Sequence, residues 1–351
     1  MRVLVRTPNW LGDIVMALPV FAALRAHFVD DVLALAGPQA FGSLLAAVAG
    51  VDQVVPLRPD SRGGRARRAD VAQLRDGRFD LAVLLPNSFG AAWVARRAGI
   101  PERWGFAGRW RRRLLTRAIA RPIPRIHLVD EYLALARGLD IDIVMAEPRL
   151  QPAPGMVSSA RRLLEANGVP ADRPVVGMAP GAAYGYAKRW PPDRYARVAE
   201  RLARQSGAVV VLVGSAHDRD AGHAIESSLA SPALGRRGAS VLNLIGRTDL
   251  AQLIGLLASC RAFVSNDSGP MHLAAALGVP VTALFGPTDE RLTAPVGRHE
   301  VLTQDVWCRP CFFRDCPIDH RCMTRISEDR VLEAVAGQVS ASFTSSQEAE
   351  V

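Results

Sequence analysis

No stretch of this 351-residue chain reads as a membrane-spanning helix. The longest uncharged run, Ser268 to Thr288, is cut by Pro270, Gly278, Pro280, Gly286 and Pro287 into helix, turn, strand and turn. A secretory leader is not expected either. Asp13 interrupts the opening "MRVLVRTPNWLGDIVMALPVF", no small-residue cleavage site follows, and "RVLVR" alternates as a strand does. There is no Gly-Lys-Ser/Thr at P-loop spacing, which excludes a Walker A phosphate cradle. Aromatic residues are scarce beside the basic runs. Only Trp104, Phe106 and Trp110 interleave with them and no recognition motif accompanies them, so a nucleic-acid partner is not expected. These absences predict a cytoplasmic protein that can touch a membrane face.

Cysteine is sparse, with five in all. Cys260 stands alone in an apolar stretch and reads as packing. Cys308, Cys311, Cys316 and Cys322 follow the spacing C-x2-C-x4-C-x5-C, with His320 nearby. A second C-x2-C knuckle is lacking. Structural zinc, reduced thiols packing a loop, and disulfides therefore all stay open.

What is present is a globular composition with a basic balance of +9. The length predicts two domains. Arginines cluster at Arg62 to Arg68 and Arg109 to Arg113, which suits either a solvated face or an anionic partner. Expected strands are Arg2–Arg6, Asp31–Leu35, Gln53–Leu57, Asp80–Leu85 and Arg103–Phe106 in the first half. In the second they are Pro174–Ala179, Ala208–Gly214, Val241–Ile245, Ala262–Ser265 and Val279–Phe285. Helical stretches separate them, among them Asp13–His27, Ser88–Arg97, Asp193–Ser206 and Leu250–Ser259. Alternation of this kind predicts an α/β protein of two doubly wound, Rossmann-like domains, 1–150 and 157–326, facing a central cleft. A helix and a polar tail occupy 327–351.

In such sheets ligands bind beyond the carboxyl ends of the strands. After the first strand, "TPNWLGD" places Asp13 at a helix start, where a carboxylate either caps the helix or takes a proton from a hydroxyl. "PGAAYGYAKRWP" offers Gly181 and Gly185 for close backbone approach and Lys188 and Arg189 for charge, a combination suited to phosphate. Asp218 in "SAHDRD" is placed for vicinal hydroxyls or for capping. "SNDSGPMHLAAALGVP" is polar at its start and apolar afterwards. Its helix opens at Pro270, its first amides are expected to face the ligand, and His272 lies on the first turn. "FGPTD" supplies a possible far wall.

Taken together, "PNWLGDIVMALPV", "PGAAYGYAKRWP", "VGSAHDRDAG", "NLIGRTDLAQLI", "SNDSGPMHLAAALGVPVTALFGPTD" and "CRPCFFRDCPIDHRCM" resemble glycosyltransferase family 9, and its type II heptosyltransferases in particular. The resemblance spans Arg2 to about Val335 and implies the GT-B architecture. It implies inverting transfer of L-glycero-D-manno-heptose from ADP-heptose to a heptose of the lipopolysaccharide inner core. Asp13 would be the base, with Asn9, Trp10 and Gly12 at the acceptor. Lys188 would neutralise the diphosphate, with Tyr184, Gly185, Ser268, Gly269, Met271 and His272 around it. Asp218 would hold the ribose, Thr248 would lie near adenine, and Asp267 would contact the heptose or order the loop. Type I members carry hydroxyl side chains where this chain has Ala182, Ala183 and Tyr184, so that phosphate contact is not carried over. No Asp-x-Asp is expected to hold Mg²⁺, and transfer is expected to need no metal or other cofactor. The acceptor, a lipid A–Kdo–heptose at the inner leaflet, implies peripheral contact with the cytoplasmic face of the inner membrane. The alternatives are a type I heptosyltransferase or a nucleotide-sugar epimerase of the same fold.

Overall fold

A computed structural model describes residues 1–58, 64–108, 110–230 and 241–348, with the side chains of 64–66 and 340–348 excepted. Arg62 and Arg109, expected in the basic clusters, lie outside the described residues, as does the end of the polar tail. The chain divides into two compact units, Met1–Gln151 and Pro152–Val351.

The first unit carries strands β1 (Arg2–Arg6), β2 (Val32–Pro38), β3 (Gln53–Leu57), β4 (Leu81–Leu84), β5 (Glu102–Phe106) and β6 (Arg117–Ile119). All pair in parallel, in the order β3-β2-β1-β4-β5-β6. The second unit carries β7 (Val175–Ala179), β8 (Val209–Leu212), β9 (Val241–Asn243), β10 (Ala262–Asn266), β11 (Val281–Phe285) and β12 (His299–Thr303). These are also parallel, in the order β12-β11-β10-β7-β8-β9. Each sheet reverses its winding once, between β1 and β4 and between β7 and β10. Right-handed crossovers then put helices on both faces. Central strands must be apolar on both sides, and β7, β8, β10 and β11 are buried throughout. Phe263 of β10 is fully buried, and truncating it would cost about 3–5 kcal/mol.

Three local departures from expectation have physical causes. The helix expected over Asp13–His27 breaks at Ala17 into Leu11–Met16 and Leu18–His27. Pro19 has no N–H and its ring collides with the carbonyl one turn back. Strands β6 and β12 were not anticipated. Both are sheet edges, short or carrying charged residues, as edges tolerate. The C-terminal helix, Glu328–Glu348, runs past Val339. It packs Val331, Leu332, Val335 and Val339 into the second unit's core beside Trp190 and Met323.

Candidate active site residues at the two switch points

In the second unit the winding reverses between β7 and β10, so the loops after these strands diverge and leave room for a ligand. Asn266, the last residue of β10, ties the two loops together. Its amide donates to Pro180 O at 2.7 Å, while its Oδ1 accepts from Trp190 N and Tyr195 Oη, each at 3.1 Å. Sequence reasoning gave Asn266 no role beyond the polar start of "SNDSGPMHLAAALGVP". Beyond it, Lys188 Nζ lies 2.5 Å from Asp267 Oδ2, and Thr288 Oγ1 donates to the same oxygen at 2.6 Å. The Lys188 and Asp267 side chains are only 12% and 6% exposed. The ammonium also faces the Tyr184 ring at 4.8 Å. The pair therefore sits in a weakly screened environment, where a positive charge acts most strongly.

Lys188 is the single lysine in a chain whose other cations are all arginine. An ammonium is a compact point charge, whereas a guanidinium is a planar fork. A lone lysine in an arginine-built protein is the signal by which this position stands out.

The helix after β10 runs Gly269–Ala276, with Ser268 at its N-cap and no side-chain cap hydrogen bond. The amide of Met271, expected at the ligand, donates instead to Ser268 O at 3.1 Å, and its side chain is fully buried. The expected amide contacts thus reduce to those of Ser268 and Gly269. His272 on the same turn is buried. Thr248 lies in the loop between β9 and the helix Leu250–Ala258, half-buried.

Asp218 takes the capping alternative. Its Oδ2 accepts from Ser215 N at 3.0 Å and Ser215 Oγ at 2.7 Å, while Arg189 reaches Oδ1 at 3.4 Å. Asp218-Arg219-Asp220 is in fact an Asp-x-Asp just beyond β8, contrary to the expectation that none follows a strand. Both glycines sit against their neighbours with no room for a side chain. A Cβ on Gly181 would lie 2.2 Å from the Asp218 carboxylate carbon, and one on Gly185 would lie 2.4 Å from Arg314 O.

Arg314 belongs to the cysteine-bearing segment, which braces the lysine loop. Ala187 N donates to Arg314 O at 2.8 Å, Tyr184 Oη donates to Phe312 O at 2.7 Å, and His320 Nε2 contacts Ala187 O at 2.6 Å. All four thiols are free and line a cavity of about 40 Å³ with Phe313 and Ile318. Among the described residues no group of three or more His, Cys, Asp or Glu is placed to hold a metal ion, so the geometry does not support zinc there. Burial pushes the Cys322 thiol up to about 11, which favours the protonated form.

In the first unit, the loop after β1 carries Asn9 and Trp10, and Gly12 and Asp13 lie in the first turn of Leu11–Met16. Arg6, at the end of β1, donates to Asn9 Oδ1 at 2.6 Å. Trp10 is exposed and Gly12 is buried. Across the switch point, after β4, the exposed Asn87 joins a network built on the buried Arg111 and Glu131, which sequence reasoning missed. Arg111 donates to Asn87 Oδ1 at 3.0 Å and to Leu84 O at 3.1 Å, and Asn87 donates to Glu131 at 3.3 Å. Arg121 pairs bidentately with Glu131 at 2.9 Å. Arg111 belongs to the basic run expected to suit either a solvated face or an anionic partner, yet it is 2% exposed, and burial pulls its pKa down to about 10. Tyr132 feels both Asp13 and Glu131, which with burial hold its hydroxyl protonated.

A family model for glycosyltransferase family 9 (heptosyltransferase) matches residues 67–321. Lipopolysaccharide heptosyltransferase 2 of Escherichia coli (strain K12) is 36% identical over 308 residues, covering 84% of this chain and 86% of its own. Lipooligosaccharide heptosyltransferase 2 of Haemophilus ducreyi is 33% identical, with 86% and 88% covered. The solved structure of E. coli ADP-heptose lps heptosyltransferase II superposes with a TM-score of 0.81 at 33% identity, over 97% of this chain and 99% of that one.

Proposed function

The chain belongs to glycosyltransferase family 9 and is a glycosyltransferase, and we propose that it moves L-glycero-D-manno-heptose, with inversion, from ADP-heptose onto the first heptose of the lipopolysaccharide inner core. The observation that carries this reading is Lys188, the one lysine, held at the switch point of the second sheet beside a helix start without a side-chain cap. Breaking the sugar–phosphate bond leaves negative charge on the departing diphosphate. Lys188 turns from Asp267 to that charge, and the amides of Ser268 and Gly269 add their dipoles. Asp13 accepts the proton of the attacking acceptor hydroxyl, as a positioned carboxylate can. Asn9, held by Arg6, and Trp10 meet the acceptor sugar. No step is assigned to a metal. Work on a glycolipid substrate places the enzyme at the cytoplasmic face of the inner membrane. The contact proposed there is peripheral, and among the described residues no helix is long and apolar enough to cross a membrane.

Mass spectrometry of the core glycolipid from a strain lacking its own second heptosyltransferase tests the assignment. Expression of this chain restores the missing heptose. A core that stays truncated while the protein accumulates folded contradicts it.

A further inference from the structure

Four neighbouring strands of the first sheet, β1, β4, β5 and β6, end on the same edge because they are parallel. The segment beyond each carries one large apolar side chain in solvent: Trp10 after β1, Phe89 after β4, Trp110 after β5 and Ile123 after β6. Their exposures are 59, 51, 70 and 95%. An isolated exposed apolar residue is ordinary, but a row of four on one edge is not. The segments that bear them, residues 7–12, 85–90, 107–116 and 120–127, contain six arginines and no aspartate or glutamate. Arg112, Arg113 and Arg125 are exposed, and the Arg113 guanidinium lies 5.6 Å from the centroid of the Trp110 ring.

We propose that this edge is a docking surface for an anionic phospholipid bilayer, with Phe89, Trp110 and Ile123 entering the interface and Arg112, Arg113 and Arg125 meeting the headgroup phosphates. The chemistry fits that occupant on both counts. Amphipathic aromatic rings settle at the headgroup level, and a negatively charged leaflet attracts the exposed Arg112, Arg113 and Arg125, none of which lies in a segment that carries an acid. Exposed apolar side chains interleaved with unopposed arginines, in the segments after β5 and β6, match a headgroup layer better than a protein surface of mixed charge. The inference deepens the reading of the chain as an enzyme acting on a membrane-anchored acceptor, since the same edge carries Trp10 and leads into Asp13.

Sedimentation of the full-length protein with phospholipid vesicles, without donor or acceptor, tests the surface independently of transfer. The protein binds vesicles of phosphatidylethanolamine with phosphatidylglycerol and not vesicles of phosphatidylcholine alone, and high salt releases it. The Trp110→Ser/Ile123→Ser variant loses about tenfold or more in binding, and Arg112→Glu or Arg125→Glu loses at least about fivefold each. All keep transfer to a delipidated, water-soluble acceptor. Val29→Ser, at an exposed site beside the amino end of β2, binds as the parent does. The proposal is overturned by equal binding to both vesicle types, by binding that requires the acceptor glycolipid in the vesicle, or by unchanged binding of the Trp110/Ile123 variant. It is also overturned if that variant changes the oligomeric state instead. Loss of transfer in the parent with vesicle binding intact would count against the enzyme reading alone.

Discussion

Lys188 and Asp267 meet at 2.5 Å across the point where the second sheet reverses its order, each the first charged residue beyond its strand. A cation and an anion so enclosed hold each other in place until a stronger anion arrives, which is how a site can wait for a diphosphate. Replacing Lys188 by Met removes the charge that the departing diphosphate needs, and kcat falls roughly 10²- to 10³-fold. It also strands Asp267, at about 3–5 kcal/mol of stability. Adding Asp267→Asn recovers stability but not activity. Donor-saturation kinetics and thermal melts on the three variants check this. A Lys188→Met enzyme with near-parental kcat contradicts the role.

Asn266 is the structural stitch behind that pair. Asn266→Ala leaves Pro180 O, Trp190 N and the Tyr195 hydroxyl without their partner in the core. Buried groups so orphaned cost about 1–3 kcal/mol each. Denaturant unfolding should show a loss in that range or above, and a loss below about 0.5 kcal/mol contradicts the geometry.

Asp289 caps the short helix Glu290–Thr293 and accepts hydrogen bonds from Arg291, which hold its carboxyl below the usual range. A depressed pKa in the folded chain means stability that is present when the carboxylate is ionised and lost as pH falls through the folded value. Asp289→Asn keeps a side chain able to cap but loses the charge, so it lowers Tm at pH 7, and the difference in Tm from the parent shrinks below about pH 4. A difference that does not change with pH contradicts the assignment.

The thiols should separate by reactivity. Burial pushes Cys260 up to about 12 and Cys322 up to about 11, while Cys308, Cys311 and Cys316 are half-buried. Iodoacetamide at pH 8 labels the latter three in the folded protein and reaches the buried pair only after unfolding. Peptide mass spectrometry reads the order, and early labelling of Cys260 or Cys322 contradicts it.

The sequence made the central architecture legible because parallel strands buried on both faces must be apolar, and the loops that follow them must hold the polarity. The central strands announce themselves this way, and the edges β3 and β9 by their valines and leucines, while the edges β6 and β12, short or charged, escape. Lys188 and Asp267 were named as site residues, but not as partners, since nothing local records that residues 79 apart meet. Asp218 shows the converse. Its position after β8 suits a hydroxyl ligand and a cap equally, and the cap became visible only through the Ser215 contacts. Arg111 and Arg112 are neighbours in one basic run, yet one is buried against Leu84 O and the other exposed, because the short turn over Trp110–Leu114 rolls its side chains to opposite sides.

The most direct measurement combines the purified enzyme, ADP-heptose and an inner-core glycolipid ending in one heptose, followed by mass spectrometry and NMR of the product. The parent adds one heptose with inverted anomeric configuration and consumes no donor without acceptor. Asp13→Asn still binds ADP as the parent does but transfers roughly 10²- to 10⁴-fold more slowly. Retention of configuration, donor turnover in the absence of acceptor, or transfer by Asp13→Asn at the parental rate contradicts the account.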